Sequence, residues 1–482
     1  MRMFRALIRH TSVALAGFVV GAAALYIASI RGGPPLETWH LVKLDNEFRA
    51  ESGSGDDSFP DYLEREQRLF DELEAEVYAK TPTGPRFAFV RYSTGSEVDP
   101  RRFDRDWNRT FEWPVADPRG GVLLLHGMSD SPYSLRALGK TLHERGYWVV
   151  GLRLPGHGTV PSGLVTATWQ DMSAAVSLAA DHLRSVAGAD RLHIVGYSTG
   201  AALALEHALA TREAQEVPQP ASLVMISPAI AISPAAAGAS WLQRLSALPG
   251  LEKLGWTQIL PEFDPFKYNS FAVNAGDQVH RLTRRLAGEI RRRATPAPLE
   301  DFPRTLVFLS TVDATVTPDA VIDNLLEHLA VDTHELVLFD INRSGVKATL
   351  LASDPGPLTR RLIGNGSLPF HLTILGNESP KSRRIVARRK PPFSTTPALE
   401  SIGVDWPPRA ISLSHVALPI PADDPLYGAR SASSDEILHL GDLAFQGERG
   451  LLRIPADWLL RLRFNPFYDY LEDRTVDWIE AR

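Results

Sequence analysis

Gly196-Tyr197-Ser198-Thr199-Gly200 sets a serine between two glycines, where the apolar run Leu192 to Val195 gives way to the helix-prone stretch AALALEHALA. The order strand, tight turn, helix gives each glycine a reason: two backbones meet too closely for a Cβ, and the turn lifts the serine to the sheet edge. The helix that follows points its free N–H groups at the place where an oxyanion would form. Outside such a context the pattern G-x-S-x-G signifies little, since an ordinary Gly-Ser turn satisfies it.

A serine hydroxyl is a poor nucleophile at neutral pH, so Ser198 needs a base, and the base needs a carboxylate to hold its tautomer and stabilise its cation. Asp313 suits the acid. It follows the apolar run TLVFLST in a polar loop ahead of a helix, whereas Asp319 and Asp323 belong to that helix and Asp340 ends a strand. For the base, His415 closes the short apolar stretch AISLS and enters a loop rich in proline and acids; His371 and His439 are the alternatives. Two backbone N–H groups must also converge on one point, and Thr199, after the serine, and Met128, in His126-Gly127-Met128, are the candidates. His126 and His157 read as loop organisers.

The elements that must position these residues appear as an alternation. GGVLLLHG, YWVVGLRLPGHG, RLHIV and SLVMISP are near-continuous apolar runs separated by helical stretches such as SLRALGKTLHERG and TWQDMSAAVSLAADHLRS. That pattern predicts an α/β fold with a mostly parallel sheet and helices on both faces, its site at the carboxyl ends of the strands. The chain divides into an anchor and linker (1–35), an N-terminal extension (36–115), a first core part (116–228), a cap insertion (229–302), a second core part (303–343), an insertion (344–409), and the His415 loop with a tail (410–482). In the extension, Leu63, Phe70, Leu73 and Val77 recur at helical spacing. The cap is rich in Trp, Leu and Phe, most of which must pack it onto the core. The 344–409 insertion is expected to fold away from the site, with FHLTILGN and RRIVARRK forming a hairpin across NESPKS.

HGMSDSPYS, RLPGHG, GYSTG, the STVDATV loop and the SLSHVALP loop together resemble the serine α/β-hydrolase superfamily, in particular its monoacylglycerol-lipase-like and bacterial carboxylesterase branch. The resemblance covers about 116–343 and extends to the His415 loop. It implies an ester hydrolase working through an acyl-enzyme, with Ser198, Asp313 and His415 as triad, Met128 and Thr199 as oxyanion donors, and a small-molecule or lipid ester as substrate. The anchor, the extension, the insertion and the long tail depart from the family pattern.

Composition narrows the remaining possibilities. Among 482 residues there is no cysteine, which excludes disulfides, a thiol nucleophile and thiolate metal sites. A net charge of -6 without a basic patch makes nucleic acid an improbable partner. No histidine pair has metal-ligand spacing such as H-E-x-x-H, so neither metal nor organic cofactor is expected. Thr11 to Ile30 is uncharged, with Arg2, Arg5 and Arg9 before it and Arg31 after it. About twenty such residues cross a bilayer as a helix, and the leading charge favours a catalytic domain outside the cytoplasm, periplasmic or otherwise extracytoplasmic. A cleaved signal peptide is the rival, but LYIASIRGG lacks a clear small-x-small exit. An acyltransferase, thioesterase or peptidase would use the same residues, and a non-catalytic, membrane-anchored binding protein is the reading from another class. The oligomeric state is left open.

Overall fold

The computed structural model describes residues 32–50, 58–214, 217–230, 244–246, 248–429, 439–441 and 461–481, with single positions at 10, 17 and 21. The anchor expected over 11–30 therefore lies, apart from positions 17 and 21, outside the described residues, as do Trp241 and Leu242 of the cap and the tail residues Leu451 to Leu460. Among the described residues no helix is long and apolar enough to cross a membrane.

The strands in chain order are β1 (Phe111–Trp113), β2 (Gly121–Leu125), β3 (Trp148–Leu152), β4 (Leu192–Tyr197), β5 (Ser222–Ile226), the short pair β6 (Trp256–Gln258) and β7 (Phe271–Ala272), then β8 (Arg304–Ser310), β9 (His334–Phe339), β10 (His371–Asn377), β11 (Arg384–Lys390) and β12 (Ala398–Asp405). Ten of them make one sheet in the order β1-β3-β2-β4-β5-β8-β9-β10-β11-β12. The run from β3 to β10 is parallel throughout, and β1, β11 and β12 add antiparallel margins. Every residue of β2, β4, β5 and β9 is buried, which is why, apart from His193, Ser222, His334 and Glu335, these strands read as apolar runs.

Helices cover both faces, and strand alternation decides which residue meets which layer. Leu123, Leu125 and Ile194 join one core with α3 (Trp169–Ala187), α4 (Thr199–Ala214) and α5 (Val273–Arg293), which follow α1 (Phe59–Glu76) and α2 (Arg136–Glu144) in the chain. Val122, Leu124 and Val195 point the other way, toward Leu138 and Leu142 of α2. After α6 (Pro318–Asn324) and α7 (Gly356–Gly364), the last helix, α8 (Tyr468–Glu480), packs Leu471, Val476, Trp478 and Ile479 on that second face. The tail is thus part of the core.

The hairpin forms, β10 pairing with β11, and the 344–409 segment extends the sheet beyond β9. β10 lies parallel beside β9, with Leu372 opposite Leu336 and Ile374 opposite Leu338, and α7 makes the crossover between them. The reason is burial: Leu362 of α7 and Leu372 and Ile374 of β10 enter the same apolar core as β2 and β4. In the cap, Phe263, Phe266 and Tyr268 are buried, and Phe266 stacks on Tyr133 at 4.3 Å, so these rings pack the cap onto the body.

The N-terminal extension is joined to the core by charge as well as apolar surface. Ser58 caps α1 by accepting from the Asp61 amide, while Phe59, Tyr62, Leu69, Phe70 and Leu73 form its buried face. Behind them Arg153, 1% exposed, is held by Glu47 at 3.0 Å and Glu66 at 2.9 Å. Glu47 also accepts from the Gly156 amide at 2.9 Å, which ties the extension to the RLPGHG loop. Removing one partner of a buried ion pair leaves a charge without compensation, typically a loss of about 3–5 kcal/mol. Glu47→Ala should therefore lower the stability by that amount in urea unfolding; a change below about 1 kcal/mol would mean that solvent reaches the guanidinium.

Candidate active site

The strand-turn-helix expected at 196–200 is built by steric necessity. A Cβ on Gly196 would stand 2.4 Å from the Ala201 Cα, and one on Gly200 would stand 2.1 Å from the Leu125 carbonyl oxygen. Ser198 between them takes φ 53°, the left-handed region that L-residues seldom occupy. Its amide donates to the Ile226 carbonyl at 2.9 Å and its carbonyl accepts from Ala229 at 3.0 Å, so β5 holds the turn from the side. The strain is over-determined by the sheet around it.

Asp313 lies in the loop after β8, and its amide donates to the Ser310 carbonyl at 3.2 Å. One carboxylate oxygen accepts from the amides of Thr315 at 2.8 Å and Val316 at 3.0 Å, and the other faces His415 Nδ1 at 2.7 Å. Burial by itself raises the carboxyl pKa, but the hydrogen bond and charge of His415 and the two amides outweigh it, leaving the pKa below the ordinary value. The other imidazole nitrogen, Nε2, is 3.0 Å from Ser198 Oγ. These partners assign the tautomer: Nδ1–H donates to Asp313, and Nε2 accepts from the serine hydroxyl. The Asp313 side chain is fully buried and that of His415 is 12% exposed, so the imidazole is reachable where the carboxylate is not.

His371, Asp319 and Asp340 are engaged elsewhere. His371 opens β10 at the opposite edge of the sheet and pairs with Asp332 at 2.6 Å. Asp319 is exposed and pairs with Arg361, and Asp340 pairs with Arg343. His126 Nδ1–H donates to the Gly127 carbonyl at 2.9 Å while Nε2 accepts from Leu154 at 3.1 Å, and burial keeps its pKa far below the usual histidine value. His157 is likewise buried and pushed down to about 4. Both hold loops.

Met128 and Thr199 bracket the serine. A Cβ on Gly127 would lie 3.2 Å from the Ser198 Cβ, which sets the His126-Gly127-Met128 segment directly over the turn. Among the described residues, neither the Met128 nor the Thr199 amide has a protein acceptor. Thr199 opens α4, so the positive end of that helix dipole lies at the serine. The Met128 loop is held from the cap side, where Tyr268 donates its amide to Ser129 at 2.7 Å and Lys267 stands 3.5 Å from Asp130.

Sequence reading missed the residues that carry His415 to this place. Ser310 Oγ donates to the Leu413 carbonyl at 3.0 Å and Tyr197 Oη to that of His415 at 3.4 Å. Asn342 donates to Ala410 at 2.9 Å and Ile411 at 2.7 Å. From the tail, Ser414 reaches the Leu462 carbonyl at 2.7 Å, and Asn465 donates to Leu418 and Ile420. Only the Asn-Pro turn at Asn465-Pro466 offered a local signal.

A mostly parallel sheet covered on both faces, with a strained serine on a strand-to-helix turn at its carboxyl edge, is the arrangement of the α/β-hydrolase fold. Residues 122–345 match the model of the alpha/beta hydrolase family. A thermostable monoacylglycerol lipase of Bacillus sp. (strain H-257) is 28% identical over 198 residues, 41% of this chain and 72% of that relative. Among solved structures, the monoacylglycerol lipase of Paleococcus ferrophilus is 21% identical, covering 48% of this chain and 88% of its own with a TM-score of 0.36. A soluble variant of the monoglyceride lipase of Saccharomyces cerevisiae is 17% identical, covering 48% and 81% with a TM-score of 0.35.

An acid with a depressed folded-state pKa adds stability above its unfolded value, near ~3.9, and that stability is lost as the pH falls through the folded value. The wild type should accordingly lose stability relative to Asp313→Asn as the pH drops from about 5 to about 2. Unfolding curves of the two proteins at each pH measure this; a constant difference would show that Asp313 carries no such linkage.

Proposed function

We propose that this α/β hydrolase is a serine esterase of the lipase-like kind, held at a membrane by its N-terminal segment. The observation that carries the reading is the chain from Ser198 Oγ through His415 to Asp313, at 3.0 and 2.7 Å, beside the acceptor-free amides of Met128 and Thr199. In this mechanism Ser198 Oγ attacks the ester carbonyl carbon as its proton passes to His415 Nε2. The tetrahedral oxyanion is held by the Met128 and Thr199 amides, and Asp313 stabilises the imidazolium. Collapse breaks the C–O bond, and the same proton goes to the departing alcohol. A water then attacks the acyl-serine, giving its proton to Nε2; the acid leaves as the proton returns to Ser198 Oγ.

A lipidic ester is favoured by the surroundings of Met128. Met128 packs against the apolar cluster of Leu164, Trp256, Tyr268, Ala272 and Ala275, on which Ile259 and Phe271 also pack, so apolar surface begins at the oxyanion amide. The monoacylglycerol lipase among the relatives points to the same class. Leu36 belongs to that cluster too, and Lys253 donates to the Gly33 carbonyl at 2.8 Å, so the chain is already on the cap three residues after Ile30. Three residues reach about 10 Å at most. A membrane helix ending at Ile30 would therefore keep the cap side of the molecule at the bilayer surface, with the domain outside the cytoplasm.

A fluorophosphonate probe should label Ser198 in the wild type and nothing in Ser198→Ala, while the variant unfolds at the same denaturant concentration. Turnover should fall by about 10⁴-fold or more in Ser198→Ala and His415→Ala; retained turnover in Ser198→Ala ends the serine mechanism. The lipid assignment has its own test. Monoacylglycerols of long acyl chain should give a higher kcat/KM than short-chain water-soluble esters, and the full chain should float with liposomes. Activity confined to short esters, or failure to float, would remove the lipidic or the membrane part without touching the mechanism.

A further inference from the structure

A cavity of about 390 Å³ opens beyond the carboxyl ends of β9 and β10, in the part of the sheet that the 344–409 segment adds. Its walls include Asp340, Arg343, Arg360, Asn377, Glu378 and Arg388. Crevices at the carboxyl ends of parallel strands are where such sheets receive ligands, and the volume is that of a small-molecule pocket.

The three arginines differ in how their charge is met. Arg343 is neutralised, with Nε 3.1 Å from Asp340 and a terminal nitrogen 2.9 Å from Asp354. Asp340 spends its remaining capacity on the Ile341 amide at 2.9 Å and Thr311 at 3.3 Å. Arg388 is half-buried and, among the described residues, forms no ion pair, although the charge of Asp340 acts on it; it donates to the carbonyls of Asn377 at 2.9 Å and Glu378 at 3.5 Å. Arg360 is exposed and, among the described residues, has neither a hydrogen bond nor an ion pair; its charge is felt only at longer range by Asp354, which is already paired with Arg343. The carboxylate of Glu378 is exposed and, among the described residues, hydrogen-bonds only with Ser382, at 3.5 Å. Gly356 and Thr359, from the first turn of α7, line the same space and bring the positive end of that helix to it.

We propose that this crevice binds a small organic oxyanion, its carboxylate or phosphate group held between Arg360 and Arg388 at the head of α7. Guanidinium forks suit planar or tetrahedral oxyanions, and Arg388 presents one that is already partly desolvated and fixed by backbone carbonyls. The site is independent of the ester chemistry but physically continuous with it. Asn377 accepts from the Arg343 amide at 2.7 Å and donates to Asn342 at 3.2 Å, and Asn342 holds the backbone of Ala410 and Ile411, just ahead of His415. An occupant touching Asn377 and Arg388 therefore also steadies the strand ends that hold the His415 loop.

Calorimetric titration of the full chain with citrate and with inorganic phosphate tests this, at an ionic strength balanced by sodium chloride so that general screening is constant. The expected result is one saturable site for at least one of the two anions, weakened at least ~10-fold in Arg360→Gln, the usual consequence of losing a charge-assisted hydrogen bond. Arg388→Gln should act in the same direction, and Arg383→Gln, at an exposed position loosely paired with Asp405 at 3.9 Å, should leave binding unchanged. Should Arg388→Gln fail to fold, the exposed Arg360 carries the test alone. No saturable binding of either anion, or binding that Arg360→Gln does not weaken, overturns the proposal.

Discussion

The approach of helix α4 to the end of strand β2 is the contact on which the site depends. At Gly200 the two backbones leave no room for a side chain: a Cβ would fall 2.1 Å from the Leu125 oxygen and 2.6 Å from that of His126. That single approach brings together the helix start with its free Thr199 amide, the serine turn, and the beginning of the loop that carries Met128. The left-handed backbone at Ser198 is tolerated because β5 fixes the turn on the other side. Wherever this packing is relaxed, the serine and the Met128 and Thr199 amides separate together.

Around that contact the molecule adds parts that a minimal sheet would lack, and each is bound by a specific interaction. The extension is secured through the buried Arg153 with Glu47 and Glu66, and Glu47 reaches on to the Gly156 amide. A buried charge with two fitting carboxylates is costly to mismatch, so it sets one register of extension against core. On the far side β10, β11 and β12 widen the sheet, and α7 closes them onto the common apolar core.

His415 arrives by a different route from Ser198. The serine is placed by its own strand and turn, whereas the histidine is held by Ser310, Tyr197 and Asn342 from the sheet and by Leu462 and Asn465 from the tail. The carboxylate that orients the imidazole belongs to a third element, the loop after β8, where two backbone amides fix its other oxygen. Charge, tautomer and position at the site are thus joint properties of four stretches of chain.

The sequence by itself determined what depends on near neighbours. Strand and helix alternation from Gly121 to Phe339, the glycine-flanked turn at Ser198, the amphipathic face of α1 and the β10–β11 hairpin were legible because periodicity and steric exclusion act over a few residues. Loop positions favour Asp313 and His415 in the sequence, with His371 and Asp319 as the weaker alternatives. The tertiary structure places His371 at the opposite sheet edge and Asp319 in a surface ion pair. It alone decided that the 344–409 segment joins the sheet, that the tail braces the His415 loop, and that Arg153 ties the extension to the core. Each of these is a pairing between residues far apart in the chain, set by which surfaces can be buried and which charges can be matched, and local sequence carries no record of the partner.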